Sequence, residues 1–299
     1  MKRFWHAVLL LLAFFLVSLT IASLLELKGL DINAKIIVLP INGEISFDKQ
    51  DGFFSLGFSA DNAIQKLDAL NKDTSVKGVI LEIDSPGGSV VASKQLADKV
   101  KSMDKPVVAL VKESAASGAY WVASSSDLIV ADEMSIIGSV GVIGSYLQFS
   151  ELMDKYGVEY ERLVAGDVKD LGSPYKALTK EEKELLQSRI NDIQKYFLND
   201  VTNSRGLSKE SVKKISDGSF YLGIEAKQLG LIDEFGNIDV AFNETKRLAN
   251  VTDAKLQFMQ QKPNLAAALS QFASKSSYVL GQGIGDSLKT LGKQELLSV

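Results

Sequence analysis

Serine and lysine are the side chains through which this sequence could carry out nucleophilic catalysis. Its 299 residues include no cysteine and one histidine, His6, near the N-terminus. The lack of cysteine excludes cysteine hydrolases, thiol redox enzymes and Cys-ligated zinc sites, and the lone histidine argues against a Ser–His–Asp triad or a multi-histidine metal site. A serine hydroxyl can still be activated by a lysine that loses its proton in a desolvated site. The principal remaining route is acyl transfer by a Ser–Lys pair, and no metal or other cofactor is expected.

Ser117 is the candidate nucleophile. It lies in the run ESAASGAYW, residues 113–121, after the apolar run PVVALV and at the predicted start of a helix of small residues. A serine in that position is close to free backbone N–H groups that favour a developing oxyanion, and its small neighbours let a peptide backbone approach. The same features also describe an ordinary helix cap beside a tight crossover, so Ser117 alone does not establish catalysis.

A glycine turn supplies the second chemical element. Ser85, Pro86, Gly87 and Gly88 follow the apolar run VKGVILEI at 76–83, and open α/β folds place their sites at the carboxyl ends of parallel strands. The two glycines can present backbone N–H groups as oxyanion donors or as a peptide-binding edge. S-P-G-G alone is a plain turn signal, but its pairing with A-A-S-G after the next strand is much more specific.

Strands and helices alternate around these motifs. Apolar, β-branched runs predict strands, and amphipathic runs with capping residues predict helices. The strands are predicted at 35–45, 76–83, 106–111 and 128–131, and the helices from a cap at Ser59 or Asp61 through Leu70, at 90–103 and at 117–125. This order is the βαβ pattern of an α/β fold with a largely parallel sheet.

A long amphipathic helix is predicted further along the chain. The sequence TKEE at 179–182 is a capping box, with Thr at the N-cap and Glu three residues later. The apolar residues that recur on one face are Leu186, Ile190, Ile193, Phe197 and Val201. That face is expected to pack against the core or against another subunit.

The apolar run at 4–25 predicts a membrane anchor. A helix of that length rises about 33 Å, enough for a hydrocarbon core of about 30 Å. A cleaved signal peptide and a buried core helix are the alternatives. Lys2 and Arg3 precede the run and a net negative charge follows it, so residues 1–3 are expected in the cytoplasm and the rest outside the cytoplasmic membrane.

The remaining chain divides into a linker at 26–34, one catalytic α/β domain at 35–250 and a tail at 251–299. The tail is polar and then rich in Ser, Ala and Gly, which predicts an appendage. The apolar loop at 53–58 is expected to line a substrate groove, face the membrane or contact another subunit. A net charge of −4 and a pI of about 5.3 argue against nucleic-acid binding, because no basic excess neutralises phosphates.

From about residue 35 to 249 the sequence resembles the signal peptide peptidase A family, in its short single-repeat form, within the Clp-protease/crotonase-like superfamily. The matching motifs are DSPGGSV at 84–90, SAASGAYW at 114–121, IIGSVGVIG at 136–144, AGDVKDLGSPYKALTKEEKELLQ at 165–187 and YLGIEAKQLGLIDEFG at 221–236. The resemblance implies a ββα superhelix behind one transmembrane helix. It also implies a ring-like homo-oligomer, often octameric, whose serine and lysine meet across neighbouring subunits.

The resemblance also implies roles for individual residues. The family's nucleophile falls on Ser117 and its general base on Lys169. The amides of Gly88 and Gly118 fall on the oxyanion hole, and Gly87 supports the turn. Ser139, in the glycine-rich run 138–141, is the rival serine and is interpreted as structural, since a tight backbone crossing explains the glycines.

Spacing alone would not select Lys169. Asp167 and Asp170 lie beside it, and nearby carboxylates stabilise the charged form of a lysine, which cannot act as a base. For the pair to work, both acids must point away, and Lys169 must be buried near Ser117 on assembly.

The expected function is that of a membrane-anchored serine endopeptidase that cleaves remnant signal peptides or similar apolar peptides at the outer face of the cytoplasmic membrane. The alternatives are a Ser–Lys membrane protease with an integral-membrane protein substrate, an acyl-CoA-binding crotonase relative that uses the P-G-G oxyanion hole, and an inactive membrane scaffold.

Overall fold

The computed structural model describes residue 6 and residues 10–20, 34–47 and 58–259. Of the predicted anchor, residue 6 and residues 10–20 are helical and the remainder lies outside the described residues. No helix among the described residues has both the length and the apolar character that a bilayer crossing requires. Most of the predicted linker, of the apolar loop and of the tail also lies outside the described residues.

The strands of the described residues are β1 (Lys35–Asn42), β2 (Ile45–Ser46), β3 (Phe58–Ser59), β4 (Val76–Ser85), β5 (Val107–Ala116), β6 (Leu128–Ala131), β7 (Ile136–Gly138), β8 (Phe220–Leu222), β9 (Glu234–Phe235) and β10 (Lys255–Phe258). Eight of them form the main sheet, ordered β10-β1-β4-β5-β6-β9 with β7 beside β5 and β8 beside β7. All neighbouring pairs in this sheet are parallel except β7 and β8.

Helices cover both faces of this sheet, which is why its central strands are apolar along almost their whole length. Ile37, Leu39 and Ile41 of β1 belong to one core cluster, and Ile36 and Val38 to a second on the opposite face. The helices after residue 58 are α1 (Ala60–Lys72), α2 (Val90–Lys101), α3 (Gly118–Ser124), α4 (Ser150–Lys155), α5 (Lys180–Arg205), α6 (Lys209–Ile215), α7 (Gly223–Gln228) and α8 (Ile238–Leu248). The predicted α/β architecture with a largely parallel sheet is confirmed.

Three strands differ from their predicted extents, and the strand predicted at 76–83 continues to Ser85. The strand predicted at 35–45 divides at Gly43, whose φ of 79° turns the chain, so that Ile45 and Ser46 pair with β3 instead. The strand predicted at 106–111 continues to Ala116, because its last residues pair with β7. The polar residues of this extension gave no strand pattern in the sequence, and the pairing with a distant strand determines their conformation.

The long helix α5 begins at the predicted capping box. The Thr179 side chain accepts from the Glu182 N–H, and the Glu182 carboxylate accepts from the Thr179 N–H. Of its apolar face, Phe197 and Val201 are buried, whereas Leu186, Ile190 and Ile193 are half-buried. The carboxyl-terminal half of α5 therefore packs on the core, and the amino-terminal half is less covered.

Asp200 joins three helices at this contact. Its carboxylate accepts from Trp121 Nε1 in α3 at 2.6 Å and from Lys101 Nζ in α2 at 2.7 Å, while the Trp121 ring stacks on Phe197 with centroids 4.4 Å apart. Burial opposes ionisation of Asp200, but the hydrogen bonds from Lys101 and Trp121 outweigh it and lower its pKa. The carboxylate therefore stays charged and holds α5 against the helix that follows Ser117.

Asp200→Asn should lower the free energy of unfolding at neutral pH by about 1.5–3 kcal/mol, the value of hydrogen bonds to a charged group. Because the Asp200 pKa is lowered by folding, the wild-type advantage is complete above the ordinary pKa of about 3.9 and is lost as the pH falls below it. Urea unfolding at pH 7 and near pH 3 measures both values. The control is Asp192→Asn. Asp192 lies on the exposed face of α5, 3.5 Å from Arg189, and its replacement should change the free energy of unfolding little. Equal losses in both variants would contradict the role of Asp200.

Candidate active site

Ser117 lies between β5 and α3, at a strained turn of the backbone. Its φ of 51° and ψ of −124° are unusual for a residue with a side chain, and such strain persists only where the surroundings enforce it. The Ser117 N–H donates to the Gly138 carbonyl at 2.8 Å, and its carbonyl accepts from the Trp121 N–H at 3.0 Å. Its hydroxyl does not cap the helix. The turn therefore holds the backbone and leaves the half-buried hydroxyl available for chemistry.

The glycine turn at 85–88 packs directly against this junction. Gly87 has a φ of 101°, and a Cβ on it would lie 2.7 Å from the Gly118 nitrogen and 2.9 Å from the Ser117 Cβ. The Ser85 hydroxyl stabilises the turn, since it donates to the Gly43 carbonyl at 2.6 Å and accepts from the Gly87 N–H at 3.1 Å. The structure thus brings the P-G-G and A-A-S-G motifs into contact.

Two backbone N–H groups adjoin Ser117 in this arrangement. Gly118 is the first residue of α3, so its N–H has no acceptor within the helix. Gly88 forms an isolated parallel bridge with Ile45, which uses the Gly87 carbonyl and the Ser89 N–H and not the Gly88 N–H. A Cβ on Gly118 would lie 3.4 Å from the Gly88 nitrogen. Two neighbouring N–H donors beside a serine can stabilise an oxyanion formed on an attacked carbonyl.

The opposite side of Gly118 is closed by α2. A Cβ on Gly118 would lie 2.2 Å from the Ser93 Oγ and 2.8 Å from the Ser93 Cβ. Ser93 is buried, and its hydroxyl has no hydrogen-bond partner among the described residues. Sequence reasoning did not identify this contact, because a serine on a predicted amphipathic helix gives no signal of what packs on it.

Lys169 lies on the segment between β7 and α5, residues 139–179, here called the arm. Its N–H donates to the Gly166 carbonyl at 3.1 Å within a turn, and its side chain is exposed. In the described part of one chain, Lys169 forms no hydrogen bond with Ser117. One subunit therefore brings together Ser117, Gly87, Gly88 and Gly118, and does not add Lys169 to them.

The arm exposes large apolar side chains along much of its length. Ile143 is 92% exposed and Leu163 is 94% exposed. Others that are at least half exposed are Leu147, Leu152, Tyr156 and Val158. A contiguous segment with this much exposed apolar surface is typical of a protein or membrane contact.

Ser139 occupies a different setting from Ser117. Its N–H donates to the Ser219 carbonyl at 2.9 Å, and its carbonyl accepts from the Gly141 N–H at 2.8 Å. A Cβ on Gly141 would lie 3.3 Å from the Gly218 Cα. These contacts form a close backbone crossing, as predicted for the glycine-rich run around Ser139.

Gly118→Ala should destabilise the protein by about 1–3 kcal/mol, because the added methyl group overlaps Ser93 in a packed core. Ser93→Gly removes both overlapping atoms, so the double variant should lose less free energy of unfolding than the sum of the single variants. Ser93→Ala alone is the control and should be neutral or stabilising, because it deletes a buried hydroxyl without a partner. Denaturant unfolding of the variants tests this, and strictly additive losses would contradict it.

Two protein-family models and several known proteins are similar to this chain. The model of peptidase family S49 matches residues 99–252, and the model described as Clp protease matches residues 57–129. A protein of Methanocaldococcus jannaschii that is assigned as a protease is 40% identical over 309 residues, covering 98% of this chain and 99% of the relative.

Two bacterial relatives carry more specific names. A protein of Enterococcus faecium assigned as signal peptide peptidase SppA is 35% identical over 226 residues, covering 74% of this chain and 66% of the relative. Protease 4 of Haemophilus influenzae is 33% identical over 228 residues, covering 75% of this chain and 36% of the relative. The resemblance seen in the motifs is confirmed. The chain belongs to peptidase family S49, and it is a serine-type peptidase with a Clp-protease-like α/β fold.

Proposed function

We propose that this protein is a membrane-anchored Ser–Lys endopeptidase that cleaves remnant signal peptides or similar apolar peptides at the outer face of the cytoplasmic membrane. The observation that supports this most directly is the junction itself. A serine with an available hydroxyl, Ser117, lies beside the N–H groups of Gly88 and Gly118. The name of the Enterococcus faecium relative supports signal peptides as the substrate class.

In the proposed reaction, neutral Lys169 removes the proton from the Ser117 hydroxyl as the oxygen attacks a peptide carbonyl. The Gly88 and Gly118 N–H groups donate to the resulting oxyanion. Protonated Lys169 then transfers its proton to the departing amine, and the acyl group remains on Ser117. Water, deprotonated by Lys169, attacks the ester; the acid product leaves and the serine regains its proton.

Lys169 is proposed to act in a neighbouring subunit of a ring-like homo-oligomer, often octameric in the family. The exposed side chain of Lys169 and the apolar surface of the arm that carries it support this arrangement. Contact between the arm and a second copy would cover the apolar side chains. It would also remove Lys169 from water, which favours the neutral form that a general base requires.

The segment 4–25 is proposed to anchor the domain in the membrane. Its apolar composition and the basic residues Lys2 and Arg3 before it support an orientation with the peptidase on the extracytoplasmic side. The same location would bring the site to peptides that remain in the bilayer after export.

Ser117→Ala and Lys169→Ala should each lower kcat for a synthetic signal peptide by about a thousandfold or more, as loss of a nucleophile or base does. Mass-resolved cleavage products and labelling of Ser117 by a fluorophosphonate measure the effect, and size-exclusion chromatography should show an unchanged oligomer. Lys155→Ala replaces another exposed lysine of the arm and should retain activity. Full activity in Lys169→Ala would require another base.

Preferential cleavage of an integral-membrane partner peptide would favour the alternative substrate class.

Mixing the two inactive variants tests whether the site is shared. When Ser117→Ala and Lys169→Ala chains are dissociated, combined and reassembled, hybrid oligomers should regain a fraction of wild-type activity, because some sites then pair an intact serine with an intact lysine from a neighbour. Each variant reassembled alone is the control and should stay inactive. Absence of recovery in hybrids whose mixed composition is verified by native mass spectrometry would place both residues in one subunit.

A further inference from the structure

The carboxylate next to Lys169 in the sequence is fully engaged elsewhere. Asp170 accepts two hydrogen bonds from Arg162, with Nε to Oδ2 at 2.7 Å and Nη2 to Oδ1 at 2.9 Å. Lys176 Nζ lies 3.2 Å from the same Oδ1. The Asp170 side chain is only 11% exposed. Its negative charge is thereby paired with two cations, Arg162 and Lys176.

The same cluster reaches the start of α5. Lys176 Nζ also lies 2.5 Å from Glu182 Oε1, and the other oxygen of Glu182 accepts from the Thr179 N–H at 3.0 Å in the capping box. Glu182 has only 5% of its side chain exposed. A chain of charged contacts therefore connects the residue after Lys169 to the first turn of a long, packed helix.

The main chain around Lys169 is held by the same group of residues. Arg162 Nη2 donates to the Asp167 carbonyl at 2.9 Å, and the Ser173 N–H donates to the Asp170 carbonyl at 3.0 Å. The Lys169 N–H is bonded to Gly166. Consecutive turns thus present the lysine at a fixed place on the arm, although its own side chain is exposed.

The charges of this cluster remain in place through the neutral range. The hydrogen bonds from Arg162 hold the Asp170 pKa well below its usual value. The hydrogen bond with Glu182 raises the pKa of Lys176, and the same contact lowers the pKa of Glu182. The two anions are balanced by two cations, so the cluster adds little net field at Lys169.

We propose that Asp170, together with Arg162 and Lys176, is a positioning residue for Lys169: it fixes the turn that presents the lysine and withdraws the adjacent carboxylate from it. The inference rests on the proposed role of Lys169 as general base. It answers the difficulty that the sequence posed for Asp170, because this carboxylate is neutralised by partners other than Lys169.

Under this proposal, changes to the charged groups near Lys169 in the chain should act on it with opposite sign. Asp167 and Asp170 lie on its own turns, Arg162 precedes them, and Lys176 and Glu182 lie toward α5. Glu182 still balances one of the two cations when the charge of Asp170 is removed. The cluster then carries one excess positive charge, which disfavours protonated Lys169. Removing the charge of Arg162 leaves Asp170 undercompensated, which favours protonated Lys169.

The test measures kcat and KM for a signal peptide across the pH range. Asp170→Asn should move the rising limb of the kcat profile to lower pH and Arg162→Met to higher pH, each by roughly half a pH unit. Both should lower the kcat plateau by about tenfold or more through misplacement of the base, with KM little changed. Arg162→Lys, which retains the charge, should keep the limb near its wild-type position.

Asp233→Asn is the matched control. Asp233 lies 2.6 Å from Arg205. Arg205 is the last residue of α5 and is about 35 Å along that helix from Glu182, at 1.5 Å per residue. It should change thermal stability without moving the pH limb. Wild-type pH profiles in Asp170→Asn and Arg162→Met, or shifts of the same sign in both, would overturn the positioning role of Asp170. If Lys169→Ala is inactive in the same assay, the role of Lys169 as general base still stands. An active Lys169→Ala would overturn the base itself.

Discussion

The close contact between two backbone segments is the constraint on which the site depends. Gly87 leaves no room for a side chain against Gly118 and Ser117, and Gly118 leaves none against Ser93. Since both sides of the junction are closed, the chain must turn between β5 and α3 with the strained backbone of Ser117. That turn leaves the N–H groups of Gly88 and Gly118 and the hydroxyl of Ser117 available. The close packing of the two segments therefore also produces the geometry of the candidate site.

The sheet holds this contact on one side, and the helices hold it on the other. Extension of β5 to Ala116 places the junction directly at the carboxyl end of a parallel strand, next to the turn that ends β4. On the helical side, Asp200 holds α5 to α3 through Trp121. The strain at Ser117 is thus opposed by strand pairing and helix contacts that are remote from the reacting atoms, as is usual for strained active sites.

Under the proposed function, the catalytic groups are divided between the packed core and an exposed part of the chain. The junction belongs to the core, whereas Lys169 is carried by the arm, whose apolar side chains a single subunit leaves in water. Under the proposed function, assembly would join the two parts and desolvate the base together with the arm. The contacts of Asp170 with Arg162 and Lys176 would then give the exposed lysine a defined position before assembly.

Local chemistry in the sequence determined the strand and helix order, the capping box at Thr179, the choice of serine as nucleophile and the glycines beside it. These follow from periodicity, from residue types and from the lack of other nucleophiles. The extension of β5, the strain at Ser117, the contact with Ser93 and the partners of Asp170 were decided only by the tertiary structure. Each depends on residues far apart in the chain that meet through packing and pairing, and such contacts leave no periodic signal in the sequence.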